Sequence, residues 1–237
     1  MINELLWIEL LIGCFLLIIL AYTLFGRTGL YIWIATAVIL ANIQVMKTIE
    51  FFGLVTAMGN VIYGSIFLCT DILNEVYSKK DAQKGVWIGF FVLIATTIIM
   101  QTTLYFVPHE SDFMSEPIAA IFGFLPRIAL ASLTAYLISQ THDVYFFAKL
   151  KKMFKGKHLW LRNNASTVLS QLIDNVIFTL IAFVGIFSWS IIFQIFIVSL
   201  AMKVFVGICD TPFIYWAKKI RAKNVRSSDA RISADML

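Results

Sequence analysis

Long apolar stretches alternate with short polar ones along almost the whole chain. A helix needs about 20 apolar residues to span a bilayer, and seven stretches approach or exceed that length. Glycine, proline and groups of charged residues separate them. The stretches cover residues 5–25, 30–47, 57–77, 85–107, 117–140, 166–187 and 190–216. The pattern predicts an all-α polytopic membrane protein with seven helices.

The composition excludes a soluble domain and gives no sign of an enzyme. Hydrophobic residues make up 60% of the chain, charged residues 14%, and the mean hydropathy is +0.85. The sequence contains no zinc-protease, nucleophile-elbow or P-loop motif. The three cysteines fall in apolar stretches without metal-ligand spacing. We therefore expect a protein without catalytic residues, cofactor or metal.

The basic residues of the loops predict the orientation in the membrane. If seven helices are drawn, sixteen of the 19 Lys and Arg lie on one side, in the 27–29 turn, the 78–84 loop, the 141–164 loop and the C-terminal tail. The acidic N-terminus and the 108–116 loop lie on the other. The positive-inside rule then places the N-terminus outside and the C-terminus in the cytoplasm. The net charge of +5 faces anionic lipid in this arrangement and does not indicate nucleic-acid binding.

Four charged residues lie well inside the apolar stretches: Asp71, Arg127, Asp174 and Lys203. A charge at the centre of a spanning helix costs about 2.5–3.5 kcal/mol on insertion scales. Such residues usually face the interior of a helix bundle, where they act on ions or substrates. Two acids and two bases on four helices can neutralise one another around a shared cavity. This arrangement is typical of a carrier for a small polar solute.

Polar residues recur around these charges at helical spacing. In the third stretch Asn60, Phe67, Asp71 and Asn74 share one face, and Glu75 flanks it. One interpretation is a polar stripe that only joins neighbouring helices. A carboxylate is an expensive way to join helices in a membrane, so the stripe favours a cavity instead.

The later stretches carry similar groups. Lys203 and Asp210 share a face of the seventh stretch, and Arg127 follows Pro126 within the fifth. A helix broken at proline commonly lines a carrier's binding site, although a structural kink with a buried Arg127–Asp pair is an alternative. Gln140 lies in a short Ser-Gln-x-x-Asp pattern that recurs in the sixth stretch. The sixth stretch contributes Gln171, Asp174, Asn175 and Phe178.

Several of these segments resemble the queuosine precursor transporter family, also called the VUT family. They are GSIFLCTDILNEVY over 64–77, PRIA at 126–129 with Ser139, Gln140 and Asp143, WLRNNAST over 160–167 with Gln171 and Asp174, and DTPF at 210–213 after Lys203. The resemblance covers about residues 40–217. It implies a multi-pass protein of the bacterial cell (inner) membrane, with a six-helix transporter core over 29–217. Residues 1–28 then form one additional N-terminal transmembrane helix, and 218–237 form a basic cytoplasmic tail.

The resemblance also implies a substrate: the 7-cyano or 7-aminomethyl 7-deazaguanine, or queuine. A guanine-like base offers an N1–H and an amine that one carboxylate can accept, while its O6 needs a donor. Asp71 or Asp174 would accept the donor pair. The side chain of Arg127, Lys203 or Gln140 would serve O6, and the ring of Phe67 or Phe178 would stack on the base.

Four functions stay open from the sequence. The leading one is a secondary carrier, with the substrate and the lipid bilayer as its partners and no direct contact with nucleic acid. The second is the substrate-binding subunit of an importer energised by a separate ATPase. The third is an intramembrane enzyme with Asp71 and Asp174 as acid and base, and the fourth is a structural or receptor-like bundle. The sequence identifies neither an energising partner nor a homo-oligomer.

Overall fold

The computed structural model describes residues 2–153, 159–210 and 212–221. About four fifths of them are helical, in agreement with the predicted class. The elements are α1 (Ile2–Phe25), α2 (Arg27–Gln44), β1 (Thr48–Phe51), β2 (Leu54–Ala57), α3 (Asn60–Val76), α4 (Lys79–Thr103), α5 (Ser115–Phe122), α6 (Leu125–Met153), α7 (Leu159–Phe183) and α8 (Trp189–Cys209). A further helical stretch over 212–221 follows α8.

Four helical stretches of the described residues are long and apolar enough to cross a membrane. They are Ile2–Phe25, Lys80–Thr103, Ser115–Ser139 and Trp189–Arg221, and a shorter apolar helix covers Gln171–Phe183. These stretches agree with a helical membrane protein. The arrangement of six core helices plus one remains a prediction, because polar residues lower the apolar character of other helices such as α3.

The helices lie close to their predicted positions, but several of them begin or end at other residues than predicted. The predicted 117–140 helix is interrupted by a turn at Gly123–Phe124, which separates α5 from α6. The predicted 141–164 loop is wrong, because α6 continues to Met153 and α7 begins at Leu159. Residues 141–153 lack glycine and proline, so nothing stops the helix where the apolar run ends. His142, expected in that loop, lies on α6 with Nδ1 2.9 Å from the Ile138 carbonyl oxygen.

A β-hairpin between α2 and α3 was not predicted. Strands β1 and β2 pair antiparallel, from Thr48 opposite Ala57 to Phe51 opposite Leu54. The two turn residues, Phe52 and Gly53, have φ values of 48° and 78°. Positive φ at both positions is typical of the type I′ turn, whose twist matches that of the strands. The backbone N–H of Val55 donates to Gln194 Oε1 on α8 over 2.8 Å.

The chain forms two compact units. The α3 unit comprises the described residues of 1–45, 58–95 and 202–221, and the α7 unit comprises the described residues of 46–57 and 96–201. In the α3 unit, helices α1, α2 and α3 pack against one another around buried side chains that include Phe15, Leu30 and Leu68. In the α7 unit, α6 packs along α7.

Candidate functional site

Helix α3 has one buried face and one accessible face. The buried face is apolar, with Leu68 and Ile72 inaccessible to solvent, because α1 and α2 pack against α3. Side chains of the opposite face are partly or largely exposed and are polar or aromatic. We call the second set the accessible face: Asn60, Tyr63, Phe67, Asp71 and Asn74. Their spacing of three and four residues aligns them along the helix.

Helix α8 brings Lys203 beside this face. Gly64 permits the approach, since a Cβ atom there would lie 2.6 Å from Val206 Cγ1. One turn earlier on α8, Lys203 Nζ lies 5.3 Å from the centre of the Tyr63 ring, a cation–π distance. Asn60 Nδ2 lies 3.4 Å from Met202 Sδ. The predicted residues Asn60 and Lys203 therefore meet in one unit.

A second carboxylate lies near Asp71. Asp71 is exposed, and the buried Asp210 is close enough to interact with it electrostatically. Asp210 lies where α8 ends, and its backbone carbonyl accepts the N–H groups of Phe213 and Ile214 over 2.9 and 3.1 Å. The sequence predicts that Asp210 shares a face with Lys203, but Asp210 was not among the predicted site residues.

Two aromatic residues of the accessible face form a pair. The Tyr63 and Phe67 rings meet edge to face with centroids 5.4 Å apart, and Phe67 is 40% exposed. Tyr63 was not among the residues predicted from the sequence, although it lies four residues before Phe67.

Glu75, which flanks the accessible face, forms an ion pair with Lys218 Nζ at 2.5 Å. Because an exposed ion pair of this kind contributes little to stability, it does not decide the role of Glu75, and substrate binding by Glu75 stays a prediction.

In the α7 unit, Arg127 binds the end of α7. It lies in the first turn of α6, where its Nε donates to the Ile181 carbonyl over 2.6 Å and its Nη2 donates to the Val184 carbonyl. A guanidinium at a helix C-terminus satisfies carbonyls that lack helical partners and favours the helix dipole. Among the described residues, the hydrogen-bond partners of Arg127 are carbonyl oxygens. They are not the Asp carboxylate that the alternative of a structural kink requires.

The predicted residues of α7 separate into two groups. Asn175 is 1% exposed, and its Nδ2 donates to the Phe196 carbonyl of α8 over 2.9 Å, so it joins two helices. Gln171, Asp174 and Phe178 are partly exposed and share a side of α7 at helical spacing. The side chain of Gln140 lies outside the described part of the structure.

The predicted site residues therefore fall in two separate sets. The α3 unit holds Asn60, Phe67, Asp71, Asn74, Glu75 and Lys203, and the α7 unit holds Arg127, Gln140, Gln171, Asp174, Asn175 and Phe178. The accessible face offers a carboxylate, amides, two aromatic rings and a neighbouring ammonium group, which suit a flat polar heterocycle. In the described ranges, no three His, Cys, Asp or Glu side chains are grouped to hold a metal ion.

Comparison with known proteins agrees with a transport role. The model of a family described as "Putative vitamin uptake transporter" matches residues 57–217. The "Probable queuosine precursor transporter" of Bacillus subtilis is 45% identical over 229 residues, covering 96% of this chain and 100% of that protein. The "Queuosine precursor transporter" of Escherichia coli is 29% identical, covering 60% of this chain and 62% of that protein. No solved structure matches the chain.

Proposed function

We propose that this chain, which belongs to the queuosine precursor transporter (VUT) family, imports a queuosine precursor across the cell membrane as a secondary carrier. The chain is a transporter and not an enzyme. Its sequence contains no P-loop, which favours a carrier that does not itself hydrolyse ATP. The observation that supports the site is the accessible polar face of α3.

The polar side chains of this face are unfavourable in contact with lipid. An acid in the hydrocarbon core costs about 2.5–3.5 kcal/mol, and the amides on the same face add to that cost. Asp71 and Asn74 are exposed on a helix whose other face is packed against protein. A water-filled cavity removes the cost, because water hydrates the polar groups until a substrate replaces it. We therefore assign the accessible face to the substrate path.

The order of groups on α3 suits a 7-deazaguanine. The Asp71 carboxylate would accept the N1–H and the exocyclic amine together, and the Phe67 ring one turn away would stack on the base. Tyr63 lies eight residues before Asp71, about 12 Å along the helix axis. Lys203, held beside Tyr63, would donate to the 7-substituent, which lies farther from the carboxylate than O6 does. Asp174 of the α7 unit remains the second candidate for the carboxylate.

The test is precursor uptake in cells that neither make queuosine precursors nor import them. Each precursor is supplied at low concentration, and queuosine in tRNA is scored by boronate gel shift. We expect modified tRNA with the parent chain, and a loss of at least tenfold in the uptake rate with Asp71→Asn. Asp112→Asn, which changes an exposed loop carboxylate, is the matched control.

The possible outcomes separate the parts of the proposal. If Asp71→Asn transports as well as the parent chain while Asp174→Asn does not, the base is held by the α7 unit. If the parent chain is present in the membrane and no precursor modifies tRNA, the assigned substrate is wrong, or an ATPase partner is required. Co-purification of an ATPase subunit with the tagged chain identifies the latter case.

We also propose the membrane topology that the basic residues predict, with the N-terminus outside and the C-terminus in the cytoplasm. In this arrangement residues 1–28 form the additional helix, 29–217 the six-helix core and 218–237 the tail. Single cysteines introduced at Ser111 and Lys219, in a chain with its native cysteines replaced, test this topology. An impermeant thiol reagent should label the first from outside intact cells and should not label the second.

A further inference from the structure

One end of the α3 unit carries an excess of exposed positive charge. The starts of α2 and α4 and the helix over 212–221 contribute to it. We call these residues the basic rim: Arg27, Lys80, Lys84, Lys218, Lys219 and Arg221. Two carboxylates lie among them, with Asp81 Oδ1 2.7 Å from Arg27 Nη1 and Glu75 Oε1 2.5 Å from Lys218 Nζ. Positive charge therefore exceeds negative charge at this surface.

Two guanidinium groups of the rim converge on one aromatic ring. The Cζ atoms of Arg27 and Arg221 lie 5.6 and 4.3 Å from the centre of the Tyr77 ring. The two groups are therefore within about 10 Å of each other. Asp81 also accepts hydrogen bonds from the Ser78 and Tyr31 hydroxyls over 2.6 and 3.1 Å, which hold it in place beside Arg27. Arg27 still has 53% of its side chain exposed, so an external anion can reach it.

Exposed aromatic side chains border the same charges. Trp87 on α4 is 67% exposed, and Tyr215 and Trp216 on the helix over 212–221 are 64% and 48% exposed. Tryptophan and tyrosine beside lysine and arginine are typical of the membrane–water interface, where the lipid headgroups lie. A free phosphate ion would be bound by the charges alone and would leave these rings unused. A phospholipid would contact both.

We propose that the basic rim binds the headgroup of an anionic glycerophospholipid, with its phosphate between Arg27 and Arg221. The guanidinium groups donate to the phosphate oxygens, a pairing for which arginine geometry is well suited. The exposed aromatic side chains contact the glycerol and upper acyl region. The site lies away from the accessible face residues Phe67 and Asp71 along α3, so it does not depend on the identity of the transported substrate.

The test is native mass spectrometry of the full-length protein in a neutral detergent. Phosphatidylglycerol and phosphatidylcholine are added at equal concentrations, and bound lipid is counted per protein. We expect the parent chain to retain phosphatidylglycerol about 30-fold more strongly, the factor expected from two basic side chains near an anionic headgroup. Arg221→Gln should reduce that preference about fivefold, and Arg27→Gln/Arg221→Gln should abolish it.

Lys47→Gln is the matched control, because it removes one exposed charge outside the rim. Only protein that elutes as a single folded species in size-exclusion chromatography is compared, and Arg221→Lys, which keeps the charge, should retain most of the preference. Equal retention of the two lipids by the parent chain would overturn the proposal. So would an equal loss in Lys47→Gln and Arg221→Gln. Displacement of phosphatidylglycerol by millimolar inorganic phosphate, but not by chloride at the same ionic strength, would identify a phosphate-ion site instead.

Discussion

Replacing Gly64 by alanine tests the contact that holds α8 against α3. A Cβ atom at Gly64 would lie 2.6, 3.2 and 3.4 Å from the Cγ1, Cβ and Cγ2 atoms of Val206. Carbon atoms pack at about 3.5–4.0 Å, so the first of these distances requires a displacement of about 1 Å. Val206 is 2% exposed and β-branched, which leaves it few alternative rotamers. We therefore expect the two helices to move apart in Gly64→Ala.

The expected cost follows from two opposing terms. Overpacking a tight contact costs about 1–3 kcal/mol. Replacing glycine by alanine within a helix returns about 0.5–1 kcal/mol of backbone entropy and propensity. The difference predicts a loss of up to about 2.5 kcal/mol in the free energy of unfolding. Because Phe67 and Asp71 lie on the same helix as Gly64, precursor uptake should fall as well.

The assay is reversible unfolding in mixed detergent, followed by tryptophan fluorescence, for a double-mutant cycle. Val206→Ala removes the two methyl groups that obstruct the new side chain, so Gly64→Ala/Val206→Ala should show a favourable coupling of about 1–2 kcal/mol. Gly207→Ala is the control, because a Cβ atom there would meet nothing within 4 Å. If Gly64→Ala is as stable as Gly207→Ala and the two changes at the contact are additive, the steric reasoning is wrong.

Three further predictions concern other parts of the fold. Arg127→Gln should lower stability by about 2–4 kcal/mol, since it removes two hydrogen bonds from a charged donor, and Arg127→Lys should restore part of the loss in thermal unfolding. Phe52→Asn should raise stability by up to about 1 kcal/mol, because asparagine tolerates the positive φ of the hairpin turn, whereas Phe51→Asn should not. Hydrogen bonds from the Ser115 hydroxyl and adjacent backbone N–H groups lower the pKa of Asp112, so the start of α5 should lose amide-exchange protection as the pH falls through that lowered pKa.

Each of these predictions has a result that would contradict it. Unchanged unfolding of Arg127→Gln would mean that other groups satisfy the carbonyls of Ile181 and Val184. An equal effect of asparagine at Phe51 and Phe52 would show that the turn conformation is not the cause. For Asp112, the folded carboxyl is the stronger acid, so its contribution is complete above the ordinary carboxyl range. Loss of protection on raising the pH would have the wrong sign.

The sequence predicted where helices lie better than where they end. An apolar run reveals the part of a helix that suits lipid. Helix α1 shows this, because it is almost entirely apolar after Glu9. At α6 the membrane-compatible run ends near Gln140, but the backbone hydrogen-bond ladder continues to Met153. Hydrophobicity and helix propensity diverge there, and the predicted boundary follows hydrophobicity alone. The hairpin was not predicted because two strands of four residues each are too short to show a clear alternation of apolar and polar residues.

For the candidate site, the sequence predicted which residues share a helix face, but not which residues meet through tertiary contacts. Helical spacing alone aligned Asn60, Phe67 and Asp71, because a single helix fixes their relative directions. The partners of Arg127 were not predictable in this way. They are carbonyl groups 54 and 57 residues away, and every residue has a carbonyl group whatever its side chain. Asp210 approaches Asp71 through tertiary packing, which spacing within one helix does not report.

The order of segments in the α3 unit has a consequence for biogenesis. Helices α1 to α3 are synthesised first, but the part of α8 that packs on them comes last. Asp71 leaves the ribosome 132 residues before Lys203. At about 5–20 residues per second, this interval lasts roughly 7–26 s. During that time the polar side of α3 has no α8 beside it, so the insertion machinery must shelter a nascent acidic helix until the final span arrives.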